Sequence, residues 1–539
     1  MVRKVDMRTQ VRAMNTVQNT KLGIDPDMLE AVEYVIEQEL DTADFPAIRQ
    51  LPTLNDEADW QDTEKRREIN RMRSHVHAHN NKAHGKRLSM FRIASLARRY
   101  SEGFYLPTMA DHRGRVYYRP GYLNPQGQDS ARGLIEFFHG QPINDDTSVH
   151  SLYLSVAGSC GQDKGTIADR IAWVEKHYSD LVRYGTDWRR DMDWLWRFKT
   201  PWQALRSCME LARFDSVGLG YNSRMISYVD GKCNGLQNFG GLVLDQKTAD
   251  SVCLSDQEQP TDIYQEVCDL ALAAARAVPI WHKDSNTAQA VVAHGIPRAW
   301  GKLVTMVMPY SGTRFGTNDV IHNSLHEDVA AGELSPWPDL KHYARYVNSL
   351  LWDALETVVQ KPVAVQQWFR KIASLASETN TPLSYVTPTG LPVKLEEWSS
   401  EPYRITTTFN GAIYSPTLRR KTDTLNPTRM KNSISPNIIH SLDAAMLTDT
   451  VVRGADMSDP ITDWVTIHDS FGVHVACRRA LLSPHGPLKS AFVEQYSTNR
   501  LAELAEMFSN QLDGSQIPQP PERGTFEIEE VRSSDYFFS

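Results

Sequence analysis

The stretch WVTIHDSFGVHV (464–475) reads as two short apolar strands joined by a tight turn, with His468-Asp469 at the bend. A carboxylate at a hairpin apex is held rigidly at a sheet edge, where it can meet a metal ion. Taken alone, Asp469 is explained as well by a turn aspartate capping its own backbone. A second carboxylate has a similar setting. Asp230 ends the apolar run MISYV, Gly231 permits a sharp bend, and a helix can follow through KCNGLQNF. Here the plainer alternative is a helix N-cap. The third informative stretch is PRAWGKLVTMVMPYSGTRFG (297–316). Arg298 and Lys302 stand i, i+4 and share one helix face, an arrangement that costs roughly a few tenths of a kcal/mol through like-charge repulsion. It makes sense if an anion such as a triphosphate sits between them. Tyr310 follows eight residues later, near the same face. The Gly295…Gly301-Lys302 spacing is one residue too long for a phosphate loop, and Leu303 stands where Ser or Thr is required.

Outward from these stretches, the chain has a globular composition: 539 residues, 41% hydrophobic and 23% charged. At roughly 150 residues per domain, three to four domains are expected. No apolar run approaches the roughly 20 residues of a membrane helix. The opening MVRKVDMRTQVRAMNTVQ lacks the apolar core of a signal peptide. Six scattered cysteines with no CxxC pair argue against a zinc ribbon or disulfide framework and fit a reducing compartment. The net charge of -8 hides an asymmetry: residues 64–119 hold fourteen Lys/Arg against four Asp/Glu. A basic segment on an acidic body fits a polyanion track, although a solvated helix face is the commoner origin of any one charge run.

Asp25-Pro26 opens one amphipathic helix. Ile69, Met72 and Val76 give a second, strongly basic one. Loops are expected at ELSPWP, SPHGP and GSQIPQPP. YRITTTFNGAIY (403–414) places Asn410-Gly411 between β-formers, the strongest short hairpin signal. Helices with a few hairpins give an α+β fold, mainly helical with a small antiparallel sheet. His75 and His79 have i, i+4 metal spacing, but no acidic or cysteine partner is evident nearby, so a helix facing nucleic acid is the better reading. Cys233 has no base placed for it by sequence and reads as a structural thiol.

Two fixed carboxylates and a cationic helix are the parts of a two-metal phosphoryl-transfer site. In this order the residues resemble the single-subunit DNA-dependent RNA polymerases of bacteriophages and mitochondria, and the resemblance covers nearly the whole chain. DHRGRVYYRPGYLNPQGQD (111–129) is similar to that family's DxxGR element, Asp230-Gly231 to its motif A, Arg298…Lys302…Tyr310 to its motif B and His468-Asp469-Ser470 to its motif C. PNIIHSLDAAML (436–447) resembles the segment before motif C, and SSDYFFS the aromatic C-terminus.

The resemblance implies a right-hand polymerase fold. The N-terminal remnant and thumb would span 1–102, the first part of the palm 103–258, the fingers 259–440 with a specificity hairpin near 402–431, and the second part of the palm with a C-terminal foot 441–539. It implies DNA-directed RNA synthesis from NTPs, with two Mg²⁺ ions on Asp230, Asp469 and the Gly231 carbonyl. Arg298 and Lys302 would hold the triphosphate, Lys302 also serving as general acid, and Lys164 would be a further triphosphate ligand. Tyr310 would sense the ribose 2′-OH, His440 would meet the growing RNA end, and Arg115 and Tyr117 would lie near substrate and hybrid. Lys86, Arg87, Arg113, Arg132, Arg419 and Arg420 would contact nucleic acid. The partners would be template DNA, the RNA transcript and NTPs, with no membrane, and the location cytoplasmic, in the host if the protein is a bacteriophage's.

Three positions depart from the family's pattern: Ser311 after the motif B tyrosine where glycine is usual, His112 in the DxxGR element, and Asn238 in motif A where histidine is common. The match begins near residue 10, so opening duplex DNA would fall to a partner protein (a second polypeptide or accessory protein replacing the family's N-terminal domain), to a single-stranded promoter or to supercoiling. A right-hand DNA polymerase stays open as an alternative, although no motif A glutamate follows Asp230 to block a 2′-OH. A non-catalytic nucleic-acid-binding subunit is the other, against which stand both intact aspartates with Arg298, Lys302 and Tyr310.

Overall fold

Asp230 and Asp469 reach the same sheet end because two segments far apart in sequence pair. The computed structural model describes residues 6–50, 63–190, 192–331, 339–512 and 517–539. Val465–Ile467 and Ser470–His474 form the expected hairpin, and Ile226–Asp230 pairs antiparallel with its second strand. The register sets Ser470 opposite Asp230 and Phe471 opposite Val229. His468 takes φ 56° at the first turn position, the left-handed geometry that a two-residue hairpin turn demands. Val229, Val465, Phe471 and Val473 are fully buried. Burial pins the register, since a one-residue slip would send each of these side chains to the opposite face. Gly472 is required for close packing, because a Cβ there would lie 2.6 Å from Ile226 Cγ2. The last residues extend the Asp230 edge: Ser539 N–H donates to the Asp230 carbonyl at 3.2 Å, and Phe537 and Phe538 are buried beside it.

Around this sheet the chain is mainly helical, with six further two-stranded antiparallel pairs among the described residues, so the α+β expectation holds. The 29-residue helix Pro427–Ala455 starts on an Asn426 side-chain cap to Arg429 N and carries Pro436 within it. It packs against Gln360–Glu378, Pro487–Ser497 and Arg8–Gln18. The basic helix runs over Thr63–Arg99; its C-terminal half docks through Met90, Ile93, Ala94 and Ala97, whereas Met72 of the expected apolar stripe is exposed. Asn410-Gly411 forms the predicted turn, with φ of 48° and 77°, between Thr407–Phe409 and Ala412–Tyr414. Trp398–Arg404 and Thr417–Leu425 continue this ribbon, which leaves Phe409, Ile413 and Tyr414 in solvent. The SPHGP loop is as expected; ELSPWP and the start of GSQIPQPP lie outside the described residues, as does the His75 side chain. All six cysteines are free. No helix among the described residues is long and apolar enough to cross a membrane.

A buried ionic network ties the N-terminal region to this body. Asp25 caps Pro26–Glu37 by accepting from the N–H groups of Asp27 and Met28. Its carboxylate also meets Arg206 at 3.0 Å and Arg213 at 2.7 Å, and Arg206 continues to Glu136 at 3.1 Å. Burial alone would push the Asp25 carboxyl up; the two guanidinium groups and the capping bonds reverse this and hold it well below the usual carboxylate range. A depressed carboxyl stabilises the fold above its unfolded-state pKa of about 3.9, and that stability disappears as pH falls toward the native value. Asp25→Ala leaves two guanidinium groups short of a partner, and is expected to lower the opening free energy of Pro26–Glu37 by about 3–5 kcal/mol at neutral pH. Amide hydrogen exchange measures this. Wild-type protection should fall below about pH 4 and the variant's should not, through loss of the Asp25 titration. Unchanged protection in Asp25→Ala would remove the network from this role.

Candidate active site

One cavity of about 560 Å³ opens at the sheet end and is lined by Asp230, Gly231, Asp469, Arg298, Lys302, Tyr310, Lys164 and Arg132, among others. Most of the residues read from the separate sequence stretches therefore converge. Asp230 and Asp469 open onto the cavity while being walled in by protein. Burial pushes both carboxyls above the usual range, and the Asp230 charge, followed by that of Asp443, raises Asp469 further. Two adjacent carboxylates with one charge too many are a hard-oxygen donor set that fits Mg²⁺. Among the described residues no group of three or more His, Cys, Asp or Glu is placed to hold a metal. A cation here would draw on the two aspartates, the Gly231 carbonyl and oxygens from substrate or water.

Arg298 and Lys302 lie on the helix Arg298–Val307 as expected, but their repulsion is relieved by protein. Asp262, which also caps Ile263–Arg276, accepts from Arg298 Nε at 2.6 Å and Nη2 at 3.1 Å. Both cations stand over the Tyr264 ring, at 4.9 and 5.7 Å. Lys302 has no carboxylate in ion-pair reach among the described residues. Tyr310 follows in the short 3₁₀ turn Met308–Tyr310, and its hydroxyl packs on Gly235, where a Cβ would come within 3.0 Å of it. Burial pushes the Tyr310 phenol far up, so it remains protonated and able to donate. Ser311 takes φ 62° and is 7% exposed, so serine here carries the left-handed strain that glycine avoids.

A second tier supports the cavity. The His440 ring lies 4.6 Å from the Tyr310 ring, tilted by 31°. Burial, then the charges of Arg115 and Arg113, push His440 down to about 3. The imidazole is therefore neutral. Arg113 donates to its Nδ1 at 2.7 Å, so the ring proton sits on Nε2. Arg113 is itself held by Asp111. Arg115 donates twice to Asp443 Oδ2, at 2.9 and 2.7 Å, while Asn234 Nδ2 donates to Oδ1 at 2.9 Å. Tyr117 meets the His468 ring edge-on at 4.9 Å. Sequence reasoning missed Asp443, Asn234, Asp262 and Tyr264 as site residues. Asp443, three residues after His440 on one helix face, was the one with a readable signal.

The other departures are accommodated locally. Asn238 is buried, donates to Asn234 and accepts from Tyr496 Oη at 2.5 Å. His112 bonds Asn437 at 3.0 Å. Of the expected nucleic-acid contacts, Lys86 donates to the Ala43 carbonyl at 2.7 Å and Arg87 lies over Phe45 at 3.8 Å while bridging Glu39 at 3.2 Å. Arg132 stacks over Tyr228 at 4.9 Å. Arg419 and Arg420 sit on the exposed ribbon, at Ser400 and Tyr403. His79 bonds the Ala47 carbonyl at 3.1 Å.

The family profile described as DNA-dependent RNA polymerase matches residues 143–519. The chain is 29% identical over 567 aligned residues to the DNA-directed RNA polymerase 1, mitochondrial, of Arabidopsis thaliana, covering 99% of this chain and 54% of that protein. It is 28% identical to the DNA-directed RNA polymerase 2B, chloroplastic/mitochondrial, of Nicotiana tabacum, covering 98% and 51%. It is 26% identical to the DNA-directed RNA polymerase of Enterobacteria phage T3, covering 98% and 64%. The chain thus spans about half the length of the plant relatives and somewhat more of the phage one. With the profile spanning well over half of the chain, from the end of the strand Gln141–Ile143 to beyond the Val465–His474 hairpin, the chain belongs to the DNA-dependent RNA polymerase family.

Proposed function

We propose that this chain is a template-directed nucleotidyltransferase that copies DNA into RNA. The observation that carries the reading is the meeting of Asp230 and Asp469 in one cavity with Arg298, Lys302 and Tyr310. Asp230, Asp469 and the Gly231 carbonyl would hold two Mg²⁺ ions, which supply charge neutralisation and activation of the RNA 3′-hydroxyl. The chain's own groups do the rest. Lys302, a cation without a carboxylate partner, faces the triphosphate and donates a proton to the leaving pyrophosphate. Arg298 moves between Asp262 and phosphate oxygens. Tyr310, stacked on neutral His440, presents its hydroxyl at the ribose. Lys164, exposed at the cavity rim, adds a further phosphate contact.

In right-hand terms, the three-stranded sheet is the palm, 259–440 the fingers and the Thr63–Arg99 helix part of the thumb. The exposed ribbon at 398–425, with Arg419 and Arg420 on it, suits a DNA groove, and its solvent-facing Phe409, Ile413 and Tyr414 support a contact surface there. Template DNA, the transcript and NTPs are the partners.

Primer extension on an open template tests the metal assignment. Asp230→Asn and Asp469→Asn should each lower nucleotide addition by at least about a hundredfold, a barrier loss of roughly 2.7 kcal/mol. Template affinity, carried by basic side chains, should stay nearly constant. Extension within tenfold of wild type in either variant would sink the two-metal assignment.

Tyr310→Phe removes one hydroxyl and leaves the stacking on His440. The preference for ribo- over deoxyribonucleotides is expected to drop about tenfold, the worth of one differential hydrogen bond. The check is kcat/KM for each substrate set; an unchanged ratio would reject sugar sensing by Tyr310. A wild-type chain that prefers deoxyribonucleotides would instead favour the DNA polymerase alternative.

A further inference from the structure

Several arginines around the cavity are already paired with carboxylates. Arg298 is paired with Asp262, Arg115 with Asp443 and Arg113 with Asp111. On a separate wall, formed by the helices Asp146–Ser159 and Ile167–Thr186 and the turn after Asp230, the pattern differs. Arg170 lines the cavity there and is only 5% exposed, yet no carboxylate lies within ion-pair distance among the described residues. Among the described residues its one hydrogen bond is a long one, Nη2 to the Leu154 carbonyl at 3.5 Å, and its Nε has no partner. Lys232 reaches the same wall and, among the described residues, donates only to the Asp163 carbonyl, at 3.3 Å.

A buried guanidinium without an anion is costly, and sites of this kind are relieved by a counter-charge. Arg478 sharpens the need. It is buried behind the Asp230 strand, donates to Ser227 Oγ at 3.1 Å and the Tyr228 carbonyl at 2.9 Å, has no carboxylate in ion-pair reach among the described residues, and its charge opposes that of Arg170. Burial already draws Arg170 below the usual guanidinium range. Asp163 acts on it from beyond ion-pair reach. The wall is thus a built donor set for a small, highly charged oxyanion.

We propose that Arg170 and Lys232 form a holding subsite for the leaving pyrophosphate, an assignment that rests on the polymerase reading for the origin of its ligand. In nucleotide addition the RNA 3′-oxygen bonds to the α-phosphorus, the bond from that phosphorus to the bridging oxygen breaks, and the electron pair departs with pyrophosphate. The Arg298–Lys302 helix faces the triphosphate before that step. Arg170, on the helix Ile167–Thr186 rather than on Arg298–Val307, takes the product once it is free. Pyrophosphate held there is separated from the reacting atoms, which opposes the reverse reaction while it exits.

The test uses the full chain and inorganic pyrophosphate with Mg²⁺ as the probe, titrated calorimetrically into wild type, Arg170→Gln, Arg170→Lys and Lys232→Gln. Arg170→Gln and Lys232→Gln should each weaken pyrophosphate binding by about tenfold, with Arg170→Lys retaining part of the affinity, as loss of a charge-assisted contact implies. The inhibition constant for pyrophosphate in primer extension should rise in parallel, while in the Arg170 variants kcat/KM for the nucleotide changes by less than about threefold. Pyrophosphate affinity within twofold of wild type in the folded variants would overturn the subsite. So would a nucleotide affinity that falls as far as the pyrophosphate affinity. If Arg170→Gln fails to fold, judged by circular dichroism and thermal melting, the half-exposed Lys232 decides the matter through Lys232→Gln. A wild-type chain that adds no nucleotide, while the variants still lose pyrophosphate affinity, would sink the polymerase reading and leave the anion subsite standing.

Discussion

Two carboxylates held side by side where a sheet end opens into a cavity repel each other, and the rest of the site is organised around that repulsion. The sheet makes it unavoidable: Phe471 and Val229 bury opposite one another, and their register leaves Asp469 one position from the residue facing Asp230. The fold maintains the pair at a cost in electrostatic energy because the hydrophobic register cannot shift without exposing the strands' apolar side chains. Positive charge nearby is plentiful but mostly committed. Arg298 and Arg115 are neutralised by Asp262 and Asp443, so the excess negative charge between the aspartates persists as an attraction for cations from outside.

The second tier converts that charge into fixed geometry. Asp443 is bound from two sides, by Arg115 of the DxxGR element and by Asn234 of the helix after Asp230, and so links three distant segments at one carboxylate. His440 lies between the Tyr310 ring and the Arg113 guanidinium; the Arg113 bond fixes its tautomer, while burial and the nearby guanidinium charges keep it neutral. Arranged this way, the Tyr310 hydroxyl has a defined position without being ionised. The strain at Ser311 is one backbone element in a conformation that its neighbours, Val307 against Gly312 among them, hold in place.

What could be read from the sequence was what local chemistry dictates. Asn410-Gly411 announced its turn because few residues accept two successive positive φ values, and the strands at 226–230 and 465–474 were visible as apolar runs ending in carboxylates. Illegible were the pairings that close over long separations. The Arg298–Lys302 repulsion was read as a vacancy for an anion, whereas Asp262, 36 residues earlier, fills it for Arg298. Lys86 and Arg87 read as free basic residues, yet a carbonyl and a phenyl ring from the 39–45 segment engage them. Arg170 gave no signal, since a lone arginine on an amphipathic helix is ordinary until its neighbours are known to lack carboxylates.

The two hairpins differ in how they tolerate heritable change in chain length. Adding or removing one residue in the His468-Asp469 turn would invert the facing of every side chain in a buried strand and carry the carboxylate to the wrong side of the sheet. The ribbon around Asn410-Gly411 is exposed on both faces, so the same event there disturbs no core. Insertions and deletions can therefore accumulate at the ribbon tip across descendants of this gene while the His468-Asp469 turn stays frozen at two residues. Diversification of whatever surface the ribbon touches is free to proceed without touching the chemistry.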